Sequence, residues 1–360
     1  MTARSLKHLP KAHLHLHLEG SMRPQTLTEY CERYNLDRPN DTRGKQFSNF
    51  LAFNAVYRAA SESIRTKEDL ARVIQEVAED AAEDGATWIE PAFDADRYTI
   101  LRADSPYKLF ETSEEGWAFV LHAAQLTSEK TGVGIGFISA IDRTRSLKQA
   151  IARAQLTSNL IASKSHLINP KNINNGEAYS GIVGLGLHGN EEGYPPELFV
   201  KAFQIGAKAE GLLLTPHAGE IAPTPGKGPD SVEKAIDLLG ASRIQHGVLA
   251  IEDEALMKKI REKNICLDVC PSSNIQLSVF PTIKSHPLPR FVEAGIACSI
   301  GSDDPLLFGP SLLDEFNLCR EEMLLDDNIM AQLARNSFNY SGAPKKVRDQ
   351  GLKGIEDWLN

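Results

Sequence analysis

Histidine and leucine alternate through His13-Leu14-His15-Leu16-His17-Leu18, followed by Glu19-Gly20. A period of two is that of a β-strand, so the stretch predicts a strand with its three imidazoles on one face and its leucines on the other. The glycine after Glu19 predicts an immediate turn away from that strand. From Pro24 to about Asp84 the spacing becomes mostly helical, with proline at a helix start and an amphipathic run from Lys67 to Glu83. Inside it Phe47, Phe50, Leu51, Phe53, Val56 and Tyr57 form an apolar stripe, read as packing with a part free to line a pocket as a lid.

Beyond this, short apolar runs alternate with helical spacing to the end of the chain. The strand candidates are Thr87 to Phe93, Gly134 to Ile141, Ile182 to His188, Leu212 to His217, Arg243 to His246, Ile265 to Cys270 and Ile296 to Ser302. Between them Glu197 to Glu210, Ser231 to Leu239, Glu252 to Lys263 and Ile283 to Glu293 carry helical spacing. Eight strands, each followed by helix, predict an α/β fold of the (β/α)8 TIM-barrel type, because parallel neighbours require crossovers. Additional helices follow the first strand and occupy Ser311 to Asn360, where they pack outside the barrel. No repeat, low-complexity tract or linker divides residues 1–360, which predicts one domain. Ile168 to Ser180 is polar and Asn-rich and reads as a surface loop.

A formal charge of −9 argues against nucleic acid or an anionic membrane as the principal partner, and points to a small-molecule ligand. Five cysteines without a C-x-x-C pair suggest a reducing compartment and thiols used for packing, Cys266 and Cys270 among them. The first residues carry no apolar signal segment and no later run reaches the length of a membrane span, so a cytoplasmic location is expected. Oligomeric state is left open.

In such a barrel reacting groups sit at the carboxyl ends of the strands. The first strand ends in His15 and His17, the fifth in His217 followed by Glu220, the sixth in His246, and the eighth in Ser302-Asp303-Asp304-Pro305. Neutral imidazoles two apart on a strand pair naturally as zinc ligands, and three histidines plus one carboxylate suit Zn²⁺. Glu220, three residues past a histidine on a turn, suits a general acid or base. Taken singly these groups have plainer readings: a histidine-rich barrel interior, a polar turn at His217 to Glu220, or a helix cap at Asp303-Asp304. The fourth strand ends in Gly186-Leu187-His188-Gly189-Asn190 and offers no lysine to bridge a second metal, which favours one ion per chain.

The segments "KAHLHLHLEGSMRP" from Lys11, "GLGLHGNE" from Gly184, "PHAGE" from Pro216, "RIQHGV" from Arg243, "CPSSN" from Cys270 and "SDDPLLFG" from Ser302 occur in an order and spacing that resemble the adenosine/adenine deaminase branch of the amidohydrolase superfamily along nearly the whole chain. The resemblance implies zinc-dependent hydrolytic deamination of a 6-aminopurine, adenosine to inosine first among them. It implies zinc ligands His15, His17, His217 and Asp303, with His17 also beside the substrate. Glu220 would protonate purine N1, His246 would orient and stabilise the attacking hydroxide, and Asp304 would bond the hydroxide and purine N7. The Gly189 N–H would contact N3, and Glu19 would face the ribose or its replacement.

The chain departs from that pattern at His13, which reads as a core or supporting residue, at Gly186 and Asn190 after the fourth strand, and at His188, a candidate pocket residue. His8, His122, His166 and His286 read as uninvolved. Glu192-Gly193-Tyr194-Pro195-Pro196 resembles the adenine deaminases, whereas "PHAGE" and Gln245 resemble them less. Adenine deaminase and aminodeoxyfutalosine deaminase are the nearest alternatives. More distant ones are a metal-dependent phosphoesterase or amide hydrolase, or a catalytically silent binding protein on the same barrel.

Overall fold

The computed structural model describes residues 4–99, 107–163, 179–221, 224 and 226–360. Eight parallel strands pair in chain order: β1 (Lys11–His17), β2 (Ala86–Phe93), β3 (Gly134–Asp142), β4 (Ser180–His188), β5 (Leu213–Ala218), β6 (Arg243–His246), β7 (Cys266–Val269) and β8 (Ala297–Ile300). All eight predicted strands are present. The last returns to the first through a parallel bridge between Leu16 and Asp303. There the His17 N–H donates to the Asp303 carbonyl at 3.0 Å and the Asp303 N–H to the His15 carbonyl at 3.1 Å. The seam of the barrel therefore runs through three of the predicted metal ligands.

The connecting helices are α1 (Pro24–Tyr34), α2 (Phe50–Ser63), α3 (Lys67–Glu83), α4 (Ser113–Thr131), α5 (Leu147–Ala162), α6 (Val200–Gly206), α7 (Lys227–Asp237), α8 (Glu254–Glu262), α9 (Pro271–Gln276), α10 (Leu288–Glu293) and α11 (Pro305–Phe308). After them come α12 (Leu312–Glu322), α13 (Asp327–Asn339) and α14 (Lys345–Leu359), the outer helices expected at the end of the chain. Residues 35–49 are not helical. Asn49 explains the late start of α2: its side chain accepts from the Ala52 N–H as an N-cap, which leaves Phe47 outside the helix although it shares the apolar stripe. Most of the predicted loop at Ile168 to Ser180, and His166, lie outside the described residues.

Strict alternation along β1 does not survive pairing. The register with β2 shifts between His13 and Leu16, a bulge that adds one residue to β1. His13 accordingly parts from His15 and His17. It lines a different cavity with residues of α3 and α12, and its Nε2 accepts from the Ser302 backbone N–H at 3.0 Å. Gly20 is also not used for a left-handed turn. It lies in a short 3₁₀ segment, and a Cβ there would fall 1.5 Å from Asp304 Oδ1, so glycine makes room for that carboxylate.

Below the strand ends the barrel interior holds a buried charged cluster. Arg243 pairs with Glu90 at 2.6 Å and with Asp268, all three fully buried. The Asp268 side chain also accepts from Ser299 Oγ at 2.6 Å, while its carbonyl reaches up to His15. All five cysteines are buried and unpaired, as packing residues. No described helix is long and apolar enough to cross a membrane.

Candidate metal centre and active site

One cavity of about 320 Å³ opens at the carboxyl ends of the strands. It is lined by His17, His217, Glu220, Asp303 and Asp304, and by Arg97, His188, Gly189 and residues of α2 including Phe53 and Tyr57. The stripe on α2 thus forms one wall of the pocket.

The ligand atoms of His15, His17 and His217 lie within 4.8 Å of one another. Asp303 Oδ1 is 3.3 Å from His17 Nε2 and 3.6 Å from His15 Nε2. The ring of His15 donates through Nδ1 to the Asp268 carbonyl at 2.8 Å, and that of His217 through Nδ1 to the Leu187 carbonyl at 2.9 Å. Each bond places the ring proton on Nδ1 and leaves the Nε2 lone pair free, the arrangement a metal-binding imidazole needs. His15 Nε2 is buried with no hydrogen-bond partner among the described residues. Burial pushes His15 down to about 4 and holds His217 well below the ordinary histidine value, so both rings are neutral at pH 7. Burial also lowers His17, yet the carboxylates of Asp304, Asp303 and Glu220 outweigh it and lift this ring to about 9. Burial opposes ionisation of Asp303, but the imidazoles of His17, His15 and His246 outweigh it and hold this carboxyl well below its usual range, so Asp303 supplies the negative charge that a divalent cation would answer. The donor set fits zinc.

Asp303 and His246 both hold their backbones in the left-handed region, at φ of 60° and 64°. Such strain in residues other than glycine is concentrated at working sites. Asp304 stands at the start of α11 but makes no capping bond, so its carboxyl is spent in the pocket and not on the helix. Burial drives that carboxyl well above its usual range, with His17 opposing and Asp303 adding to the effect. Glu220 is likewise driven well above its usual range, by burial first and then by the carboxylates of Asp303 and Glu191. His246 Nε2 lies 3.5 Å from Glu220 Oε1 and 3.7 Å from Asp303 Oδ2.

Glu19 is placed differently from the other predicted residues. It is buried behind the pocket wall, where it accepts from the Tyr57 hydroxyl at 3.1 Å and the Tyr98 hydroxyl at 3.0 Å, with Arg97 Nε 3.8 Å away. Gly189, at φ 94°, and His188 both line the cavity. The His188 ring stacks on His17 with centroids 5.6 Å apart.

Sequence reasoning passed over Glu191. Its carboxylate accepts from the backbone N–H groups of Gly219, Glu220 and Ile221 at 2.8, 3.0 and 3.2 Å, and from the Ser231 hydroxyl. This one side chain fixes the turn that carries Glu220. The signal was an acid closing "GLGLHGNE", whose partners lie 28 or more residues away and cannot be read from local spacing.

The sequence profile of the adenosine deaminase family matches residues 10–358. A Streptomyces virginiae protein carrying the name adenosine/adenine deaminase is 35% identical over 365 residues, 99% of this chain and 98% of that protein. The crystal structure of adenine deaminase from Arthrobacter aurescens is similar with a TM-score of 0.81 at 26% identity, covering 97% of this chain and 99% of that one. A Burkholderia ambifaria amidohydrolase with bound zinc shares the fold at a TM-score of 0.75 and 20% identity, over 98% of this chain and 92% of that one. The chain belongs to the adenosine deaminase family, whose members hydrolyse a C–N bond.

Proposed function

We propose that this protein replaces the 6-amino group of a purine by oxygen, with adenosine as preferred substrate, consuming one water and releasing ammonia and inosine. The observation that carries this reading is the convergence of His15, His17, His217 and Asp303 beside a cavity that Glu220 and Asp304 line. Those four residues would hold one zinc ion per chain, which when bound lowers the pKa of water from 15.7 to about 7 and makes hydroxide available at neutral pH.

Glu220, kept protonated by burial among other carboxylates, donates its proton to purine N1 and leaves C6 electron-poor. His246 hydrogen-bonds the attacking oxygen and steadies the negative charge that grows there. Asp304, kept neutral, offers an O–H to purine N7. The Gly189 N–H meets N3. The cavity of about 320 Å³, which His188 and Arg97 also line, has room for a ribosyl group beside the base. Glu19 bears on that cavity through Tyr57, whose hydroxyl it holds.

The zinc-loaded protein, offered adenosine, adenine and aminodeoxyfutalosine in parallel, is expected to release ammonia and shift the ultraviolet spectrum fastest with adenosine. Faster turnover of either other compound reassigns the substrate, and no ammonia from any of them ends the reading. Glu220→Gln removes the proton donor but no zinc ligand. It is expected to keep one zinc per chain while kcat falls by roughly 10² to 10⁴. Near-wild-type turnover would remove Glu220 from its role.

A further inference from the structure

His246 lies at the end of a chain of four buried hydrogen-bonding groups, and the other three play no part in the proposed reaction. The Leu288 backbone N–H, at the start of α10, donates to His286 Nδ1 at 3.2 Å. His286 Nε2 meets Asn274 Oδ1 at 3.1 Å, and Asn274 Nδ2 meets His246 Nδ1 at 3.3 Å. His246 and Asn274 are fully buried and His286 is nearly so. Burial pushes His286 down to about 3, so that ring carries a single proton.

A backbone amide is always a donor, and this sets the direction of the whole chain. Leu288 N–H occupies the Nδ1 lone pair of His286, so the His286 proton sits on Nε2 and is donated to Asn274. That nitrogen's partner must then be the amide oxygen, which settles the orientation of Asn274 and turns its NH₂ toward His246. The Nδ1 of His246 accepts, and its proton must be on Nε2. Reversing any link would press two buried N–H groups together. Among the described residues His246 Nε2 has no hydrogen-bond partner, and it faces Glu220 and Asp303.

We propose that Asn274 and His286 form a directional relay, anchored on the Leu288 amide, that locks His246 as the Nε2–H tautomer. Two consequences follow. First, the lone pair a metal would need is absent from Nε2. Two of the sets that converge here contain more than one histidine, His15 with His17 and His217, and His15 with His246, Cys270 and Asp303, and the relay removes His246 from the second. Second, the locked N–H is a preset donor for an oxygen that becomes negative during attack, and this catalytic consequence rests on the deaminase reading given above. Asn274 and His286 act through His246 and are positioning residues.

The test is ¹⁵N NMR on histidine-labelled, zinc-loaded protein, with the His246 signals identified by their loss in His246→Gln. The expected spectrum shows protonated Nε2 and unprotonated Nδ1, and the reverse overturns the relay. Asn274→Asp substitutes an acceptor for the donor at Nδ1, so it should move the proton to Nδ1 and lower kcat roughly 100-fold or more, as wrong-tautomer variants do, with a smaller change in KM. His286→Gln still offers an N–H to Asn274 and should stay within about threefold of wild type, whereas a loss equal to that of Asn274→Asp would mean packing and not direction is at stake. An Nε2–H signal in a protein that deaminates none of the purines would leave the relay standing and the deaminase reading fallen. An Nδ1–H signal in an active deaminase would do the opposite.

Discussion

Glu191 offers four acceptor positions to one turn, and its removal exposes what that turn costs to hold. Three consecutive amides and the Ser231 hydroxyl converge on its two oxygens. A buried donor left without a partner costs on the order of 1–3 kcal/mol. Glu191→Ala is therefore expected to destabilise the protein by at least about 3 kcal/mol, read as the midpoint shift in urea unfolding. Glu191→Gln keeps one carbonyl oxygen and should lose roughly half as much. In that milder variant Glu220 is displaced while the groups that bind the purine stay in place, so kcat should fall on the order of tenfold with KM nearly unchanged. A rise in KM with kcat intact would show that Glu191 serves substrate binding. The residues that carry the proposed chemistry were legible because their types are rare in apolar strand ends: a histidine pair two apart, "HAGE", and adjacent aspartates. Glu191, Asn274 and His286 were not, because each acts through a partner brought close only by folding, and an Asn or His alone has many uses.

At the scale of the element, β1 shows both what spacing reveals and what it hides. Its apolar alternation marks it as a strand, and its end carries His15 and His17 as expected. The bulge between His13 and Leu16 has no composition of its own, because one extra residue in a ladder is visible only against the partner strand. The start of β1 carries a further cost. Lys11 is fully buried, and its Nζ donates to the carbonyls of Leu6 and Leu9 at 2.7 and 2.8 Å. Burial, partly offset by Asp84, lowers this ammonium from 10.5 to about 7. The unfolded chain keeps the Lys11 proton to near pH 10 while the folded chain gives it up near pH 7. Unfolding therefore takes up a proton across that window, and the Lys11 contribution to stability rises with pH there, by at most about 1.4 kcal/mol per unit. Lys11→Met removes the titration without removing the apolar stem. The free energy of unfolding of wild type minus that of Lys11→Met should climb between pH 7 and 9.5 in urea titrations. A difference that does not change with pH would mean that Lys11 is charged in the folded chain throughout.

For the molecule as a whole, the candidate metal centre lies where the barrel closes. His15, His17 and Asp303 belong to the β1–β8 seam, where the only bridge is that of Leu16 with Asp303 among the described residues, and His217 comes from β5 on the far side of the cylinder. An ion held by all four would tie the seam to the opposite wall, and it has no comparable site in the unfolded chain. Binding confined to the folded state stabilises it by about 4 kcal/mol when free zinc exceeds its dissociation constant a thousandfold. For a chain of 360 residues that corresponds to a rise in melting temperature of roughly 5 °C. Scanning calorimetry with and without a chelator should show this shift in the wild type. His217→Ala should lose most of it, since the tie to β5 is cut, while the seam and its backbone bonds persist. His246→Ala should keep it, because a ring whose Nε2 carries a proton contributes nothing to the ion. If His246→Ala loses the shift and His217→Ala keeps it, the ion sits in the set of His15, His246, Cys270 and Asp303, and the seam is tied to β6 and β7 instead.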